Sequence, residues 1–184
     1  LDWIMDPKCG GVDPALFGPD LQGIAFITNV EAACVFAGNV GTGIVMKHNL
    51  EDGSWSPPSA IGVTGVGFGF MIGASMRHLV YLIYDEMTMK AMTGTGGVTL
   101  GTKIEAAIFN YGRSAELTDI FTNKGVGVDV GLQYSQGIFG GFSAEAAVCH
   151  PRNAINEKFY GKKVTPTDIL CDNKVEMPDG TKIQ

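Results

Sequence analysis

The chain has 184 residues, 45% of them hydrophobic and 17% charged, which is long enough for one domain with a buried core. No apolar run approaches the roughly 20 residues that a membrane-spanning helix needs, and no secretory signal pattern opens the sequence. The formal net charge of −6 argues against non-specific nucleic-acid binding, which requires a basic surface.

Residues 1–20 form an irregular lead-in, rich in Pro, Gly and Asp, with one helical turn that begins at Pro14. Because the chain begins at Leu1 without an initiator methionine, we expect a fragment of a longer protein. Beyond the lead-in, apolar and β-branched runs separated by glycine-rich turns predict a series of short strands. The predicted strands are 21–30, 32–36, 44–48, 65–70, 79–84, 98–108, 125–131 and 137–148.

Two short helices are predicted from their first turns. Asp85 is an N-cap candidate for a helix over 86–92, and Thr165 is one for a helix with Pro166 at its first position. Many short strands with few helices predict an α+β fold with a predominantly antiparallel, strongly curled or barrel-like sheet and a few short flanking helices. We expect a single domain over 21–184.

Glycine alternates with a bulky apolar residue over residues 65–70, a segment that we call the glycine ladder. In a strand, one face then holds Gly65, Gly67 and Gly69, and the other holds Val66, Phe68 and Phe70. Because glycine weakens a strand, the ladder requires a reason such as tight curvature or another element lying on the bare face.

The glycine-rich segments do not match phosphate-binding loops. Residues 96–103 approach a P-loop, but the required Lys-Ser/Thr order is reversed to Thr102-Lys103. The last glycine of a dinucleotide-binding motif is replaced by Ile72 or by Thr99 in the two registers that come near it. The sequence therefore predicts no nucleotide cofactor.

Catalytic and metal-binding patterns are also missing. The three histidines are far apart, and Glu145 stands where a nucleophile elbow needs glycine. The cysteines form no C-x-x-C pair, which indicates reduced thiols in a cytosolic protein. We predict no enzyme, no catalytic residue and no metal. These residues are His48, His78, His150, Cys9, Cys34, Cys149 and Cys171.

Basic and aromatic residues are interleaved near the C-terminus, a composition that suits an anionic lipid headgroup or an acidic protein surface. An ordinary solvated face is the alternative. Two weaker candidates each precede a histidine. The candidate binding residues are Arg152, Lys158, Phe159, Tyr160, Lys162 and Lys163, with Lys47 and Arg77 as the weaker ones.

Eight segments occur in an order that resembles the SYLF domain family. They are 22–27, 41–45, 53–62, 65–73, 98–101, 137–143, 156–161 and 168–170. The resemblance spans about residues 20–178. Its structural signature is Trp55, Ser56, Pro58, Gly65, Gly67, Phe68, Gly69, Phe70 and Gly73.

The resemblance implies a non-catalytic module that binds phosphoinositides and other anionic lipids, in a cytoplasmic, peripherally membrane-associated adaptor of endocytosis and membrane trafficking. It also implies actin filaments or other cytoskeletal proteins as partners. In relatives, an amphipathic helix ahead of the domain contributes to membrane contact, whereas residues 1–20 hold one basic residue, Lys8. A protein-interaction scaffold whose membrane binding resides in missing flanks therefore remains the alternative. A curled sheet that encloses a small apolar ligand also remains open.

Overall fold

The computed structural model describes residues 14–93, 98–107, 112–122, 125–172 and 174–178. A 3-10 turn at Pro14–Phe17 comes first, as the lead-in predicted. The strands are β1 (Gly23–Lys47), β2 (Ser59–Ile83), β3 (Val98–Ala107), β4 (Gly112–Thr122) and β5 (Gly125–Pro151). The helices are α1 (Glu86–Thr93), α2 (Asn153–Tyr160) and α3 (Pro166–Leu170).

The strands form one sheet in the order β1-β2-β5-β3-β4, with β4 also paired to β5. All of these pairings are antiparallel, which confirms the predicted α+β fold with a predominantly antiparallel sheet and few short helices. The sheet is not closed into a barrel, because β1 hydrogen-bonds only to β2 among the described strands and so remains an edge. The barrel-like form is therefore not confirmed.

The strands are longer than the sequence predicted. β1 runs through the glycine-dense residues 38–43, and β2 joins the glycine ladder to residues 79–84 in one strand of 25 residues. A Cβ added at Gly43 would lie 3.0 Å from the Cα of Ile27, so the two ends of β1 approach each other closely. Glycine is required there by this approach, and it does not interrupt the strand.

The register divides the β1–β2 hairpin into two faces. Cross-strand partners share a face, and partners such as Ala25 and Tyr81 or Phe36 and Phe68 have the same parity in number. We call the two surfaces the odd face and the even face. The odd face carries the main core, on which α1 and α3 pack with Met89, Met92, Ile169 and Leu170.

The even face is covered only at one end in the described structure. There Leu16 and Leu21 pack near Val80 and Leu82, close to the 3-10 turn. Farther along, the bulky residues of the ladder point outward, and Val66 and Phe68 are 72% and 62% exposed. The glycines of the ladder thus face inward, and the apolar side chains face outward.

Both helix starts follow the predicted capping chemistry. The Asp85 carboxylate accepts a hydrogen bond from the Thr88 amide at 2.9 Å in the first turn of α1. Thr165 and Asp168 form a reciprocal capping box around α3, with Pro166 in its first turn. Hydrogen bonds from the Thr165 side chain and amide, and then from Lys174, lower the pKa of Asp168 to about 2.

This capping box predicts a pH-dependent contribution to stability. Because the pKa of Asp168 falls from 3.8 to about 2 on folding, its stabilising effect is complete above pH 3.8 and disappears as the pH falls through 2. In urea unfolding followed by circular dichroism, Asp168→Asn should be less stable than the parent at pH 5, and the difference should vanish near pH 2. Asp20→Asn, which replaces an exposed carboxylate elsewhere, is the control. A difference that persists unchanged at pH 2 would contradict the assignment.

Candidate functional site

The buried side chain of Asn156 fixes α2 to the start of β2. Its Oδ1 accepts a hydrogen bond from the Ala60 amide at 2.7 Å, and its Nδ2 donates to the Ser59 hydroxyl at 3.1 Å. The Arg152 amide, just before α2, donates to the Ala60 carbonyl at 2.9 Å. Sequence reasoning did not single out Asn156, although a polar amide within the family segment 156–161 was the available signal.

The C-terminal turn of α2 is attached to the loop between β1 and β2. The Tyr160 hydroxyl donates to the Pro58 carbonyl at 2.6 Å, and the Tyr160 ring meets Phe159 edge to face at 4.9 Å. Partial burial raises the pKa of Tyr160 to about 12, so its phenol remains a neutral donor at neutral pH. Gly161 ends the helix with a φ of 66°, in the left-handed region that favours glycine.

The Trp-Ser-Pro-Pro segment of the signature shapes this same loop. The buried Ser56 hydroxyl accepts a hydrogen bond from the Lys47 amide at 2.9 Å and donates to the Pro57 carbonyl at 3.0 Å. The Trp55 ring stacks on His48 with a centroid distance of 4.7 Å. Ser56 and Pro58 therefore act as structural residues, since they join the end of β1 to α2.

Four predicted basic residues lie on α2 and its two ends, and we call them the basic cluster: Arg152, Lys158, Lys162 and Lys163. All four are exposed. Arg152 Nη1 donates to the Thr42 hydroxyl at 2.9 Å, and Lys162 Nζ donates to the Lys174 carbonyl at 3.3 Å. Residues 152–163 contain one acidic residue, Glu157, so this surface is locally basic on an acidic chain.

The other two predicted basic residues lie elsewhere. Lys47 is half-buried at the end of β1, next to Ser56. Arg77 is 3% exposed and forms an ion pair with the fully buried Glu31 on the odd face. The Ser75 hydroxyl also lies 3.5 Å from Glu31 Oε2. The structure therefore does not bring Arg77 to the basic cluster.

The remaining signature residues lie in β2. Gly65 is buried, and a Cβ there would come within 2.7 Å of the Asn39 Cγ on β1. A group does occupy the bare face at this position, but it is a side chain of the neighbouring strand. The backbones of Gly69 and Phe70 belong to β2, while their side chains lie outside the described part. Gly67 and Gly73 are half-buried, and Phe68 contacts Phe36 with ring centroids 5.7 Å apart.

The described residues offer no metal-binding group of three or more His, Cys, Asp or Glu side chains. Burial raises the pKa of Cys149 to about 12, which leaves this thiol protonated, whereas Cys34 and Cys171 are exposed free thiols. Cys9 lies outside the described residues. No helix in the described ranges has both the length and the apolar character to cross a membrane.

Comparison with known proteins identifies relatives over most of the chain. The family model described as "Ysc84: Las17-binding protein actin regulator" matches residues 64–183. Protein YSC84 of Saccharomyces cerevisiae is 34% identical over 157 residues, which cover 85% of this chain and 33% of that protein. LAS seventeen-binding protein 3 of Saccharomyces cerevisiae is 34% identical over 149 residues, covering 81% of this chain and 32% of that protein.

The human SH3 domain-containing YSC84-like protein 1 is 33% identical over 149 residues, which cover 81% of this chain and 43% of that protein. The chain thus spans less than half the length of these relatives. No solved structure matches it. The matching family carries a description as an actin regulator, which is not that of an enzyme family. Because the family model and the relatives agree over most of the sequence, the chain belongs to the Ysc84 family, which is the SYLF family that its motifs resemble.

Proposed function

We propose that this chain is a non-catalytic module that binds anionic membrane lipids, phosphoinositides among them, within a peripheral, cytoplasmic adaptor of the actin cytoskeleton. The observation that carries the proposal is the basic cluster on α2. Its four cations are exposed on a helix that Asn156 and Tyr160 hold against β2 and the preceding loop. A fixed, convex basic surface fits the headgroup layer of an anionic membrane.

The size of the electrostatic attraction supports a role for the cluster. A basic residue near an anionic bilayer contributes about 1 kcal/mol, so four of them contribute about 4 kcal/mol at low salt. The rest of the acidic chain is repelled, which orients the domain with α2 toward the membrane. Phe159 and Tyr160 lie beside the cations, where aromatic rings favour the membrane interface.

The names of the relatives support the cytoskeletal part of the proposal. The family is described as Las17-binding and actin-regulating, and one yeast relative is named as a LAS seventeen-binding protein. We therefore propose actin filaments or other cytoskeletal proteins as partners, and endocytosis and membrane trafficking as the setting.

Charge reversal in the cluster tests the lipid proposal. The variant with Lys158, Lys162 and Lys163 all changed to Glu should bind vesicles of phosphatidylcholine with a phosphoinositide at least about 100-fold more weakly than the parent, because about 3 kcal/mol of attraction is removed. Vesicle co-sedimentation measures the affinity. Binding by the parent should also weaken as salt shortens the Debye length.

The matched control changes the same three lysines to Arg, which keeps the charges and should keep the binding. Lys90→Glu, at an exposed position on α1, controls for the change in net charge. Unchanged binding by the Glu variant would remove the cluster from the mechanism.

The alternative is a protein-interaction scaffold whose membrane binding resides in flanking segments. It is favoured by the net charge of −6 and by the coverage of only 33% of yeast YSC84. In this case residues 1–184 would not bind the vesicles, and binding would return when native flanks are restored.

A further inference from the structure

A large part of the even face is apolar and open. Phe36, Val66 and Ile72 are 71%, 72% and 75% exposed, far above what core side chains show. No described element lies on these positions. The exposed residues of this surface, which we call the apolar face, are Val30, Phe36, Val40, Val66, Phe68, Ile72, Met76 and Val148.

This surface is also free of charged residues. The even positions of β1 and β2 contain no Asp, Glu, Lys or Arg, whereas Glu31, Lys47 and Arg77 all have odd numbers. The positions of β5 that pair with Phe68 and Val66 are Ala144 and Ala146, which are uncharged as well. The hairpin therefore places its charges on the buried face and its bulky apolar side chains on the open one.

The extent of the apolar face matches a protein interface. From Val30 to Val40 a strand covers about 36 Å, and three strands side by side are about 14 Å wide, which gives about 500 Å² per copy. Two such surfaces packed together bury about 1,000 Å² of projected area, near the lower limit of a specific interface. A patch of this size on a soluble domain marks an interaction site.

We infer that the apolar face is the surface through which two copies of this chain pack sheet against sheet. An uncharged apolar surface is complementary to itself without any partner charge, which a two-fold symmetric dimer requires. Sheets stack at about 10 Å when both inner faces are apolar. The Phe36–Phe68 ring pair, with centroids 5.7 Å apart, supplies the aromatic centre that interfaces favour. An anionic membrane, in contrast, requires cations across the face, and Arg152 reaches it only at the Thr42 end.

Sedimentation equilibrium over a wide range of protein concentration tests the inference. The parent should be a reversible dimer, and Phe68→Lys should raise the dissociation constant at least about 100-fold, because it places a charge in the centre of the interface. Phe68 is largely exposed in one copy, so the monomer should retain its unfolding midpoint. Ile72→Lys provides a second variant with the same expectation, and Leu50→Lys, an exposed apolar position in the β1–β2 loop, is the control.

Two native thiols give a second, independent measurement. Cys34 is exposed on the even face opposite Ile72, and Cys171 is exposed after α3. In a Cys9→Ser background, the reaction of Cys34 with a maleimide should slow as the dimer forms, whereas Cys171 should keep its rate. Phe68→Lys should restore the reactivity of Cys34 at the same protein concentration.

Several results would overturn the inference. One is a chain that stays monomeric at every concentration, and another is a dimer whose Cys34 reacts as fast as the monomer's. Slow reaction of Cys34 in the monomer would mean that the chain itself covers the face. Protection that appears only with vesicles of phosphatidylcholine and phosphatidylserine would identify a membrane as the occupant.

Discussion

Arg77→Met is expected to lower the free energy of unfolding by about 3–5 kcal/mol, the largest effect of any substitution considered. Arg77 pairs with Glu31, which has no exposed surface. Removing the guanidinium leaves the carboxylate buried without its cation, and that desolvation cost is not recovered. Urea unfolding followed by tryptophan fluorescence at neutral pH measures the change. Lipid contact by Arg77 would instead predict a stable variant with weakened vesicle binding.

A double variant separates the ion pair from packing. Arg77→Met with Glu31→Leu removes both charges, and we expect it to be more stable than Arg77→Met alone. Lys90→Met is the matched control, since the Lys90–Glu86 pair is exposed on α1 and its loss should cost no more than about 0.5 kcal/mol. If Arg77→Met costs as little as this control, the buried pair does not stabilise the sheet.

Asn156→Ala is expected to cost about 2–4 kcal/mol, because it removes both hydrogen bonds that fix α2 to β2 and leaves the buried Ser59 hydroxyl without this donor. It should also weaken vesicle binding, since the basic cluster loses its fixed support. Thermal unfolding and co-sedimentation measure the two effects.

Asn153→Ala, at the exposed first position of α2, should change stability by no more than about 0.5 kcal/mol. Asn156→Asp keeps the shape and the acceptor but loses the donor to Ser59, so we expect an intermediate loss. Equal stability of Asn156→Ala and Asn153→Ala would show that the amide does not hold the helix.

Local features were predictable from the sequence. The caps at Asp85 and at Thr165 depend on residues within one turn, so their side chains reveal them directly. The antiparallel sheet was predictable from alternation and turn residues. β4 was not predicted, and neither was the length of β1, because its glycines are explained by a close approach to residues far along the same strand.

The environment of each basic residue was less predictable. Nothing local to Arg77 distinguishes it from a surface cation, because its burial depends on pairing with Glu31 in another strand. The outward orientation of Val66 and Phe68 was equally hidden, since alternation separates two faces without saying which one is covered. The position of the basic cluster on α2 depends on Asn156, whose partners lie in β2.

The anchors of α2 also constrain the order in which the chain folds. The hydrogen bonds from Asn156 and Tyr160 join residues 96, 97 and 102 positions apart in sequence. Contacts of such high contact order form late, after the intervening loop entropy has been lost. During synthesis, the start of β2 leaves the ribosome long before its helical partner does. The lysines of α2 therefore acquire their fixed geometry only in a completed domain, and a truncated product would carry the signature without a positioned basic surface.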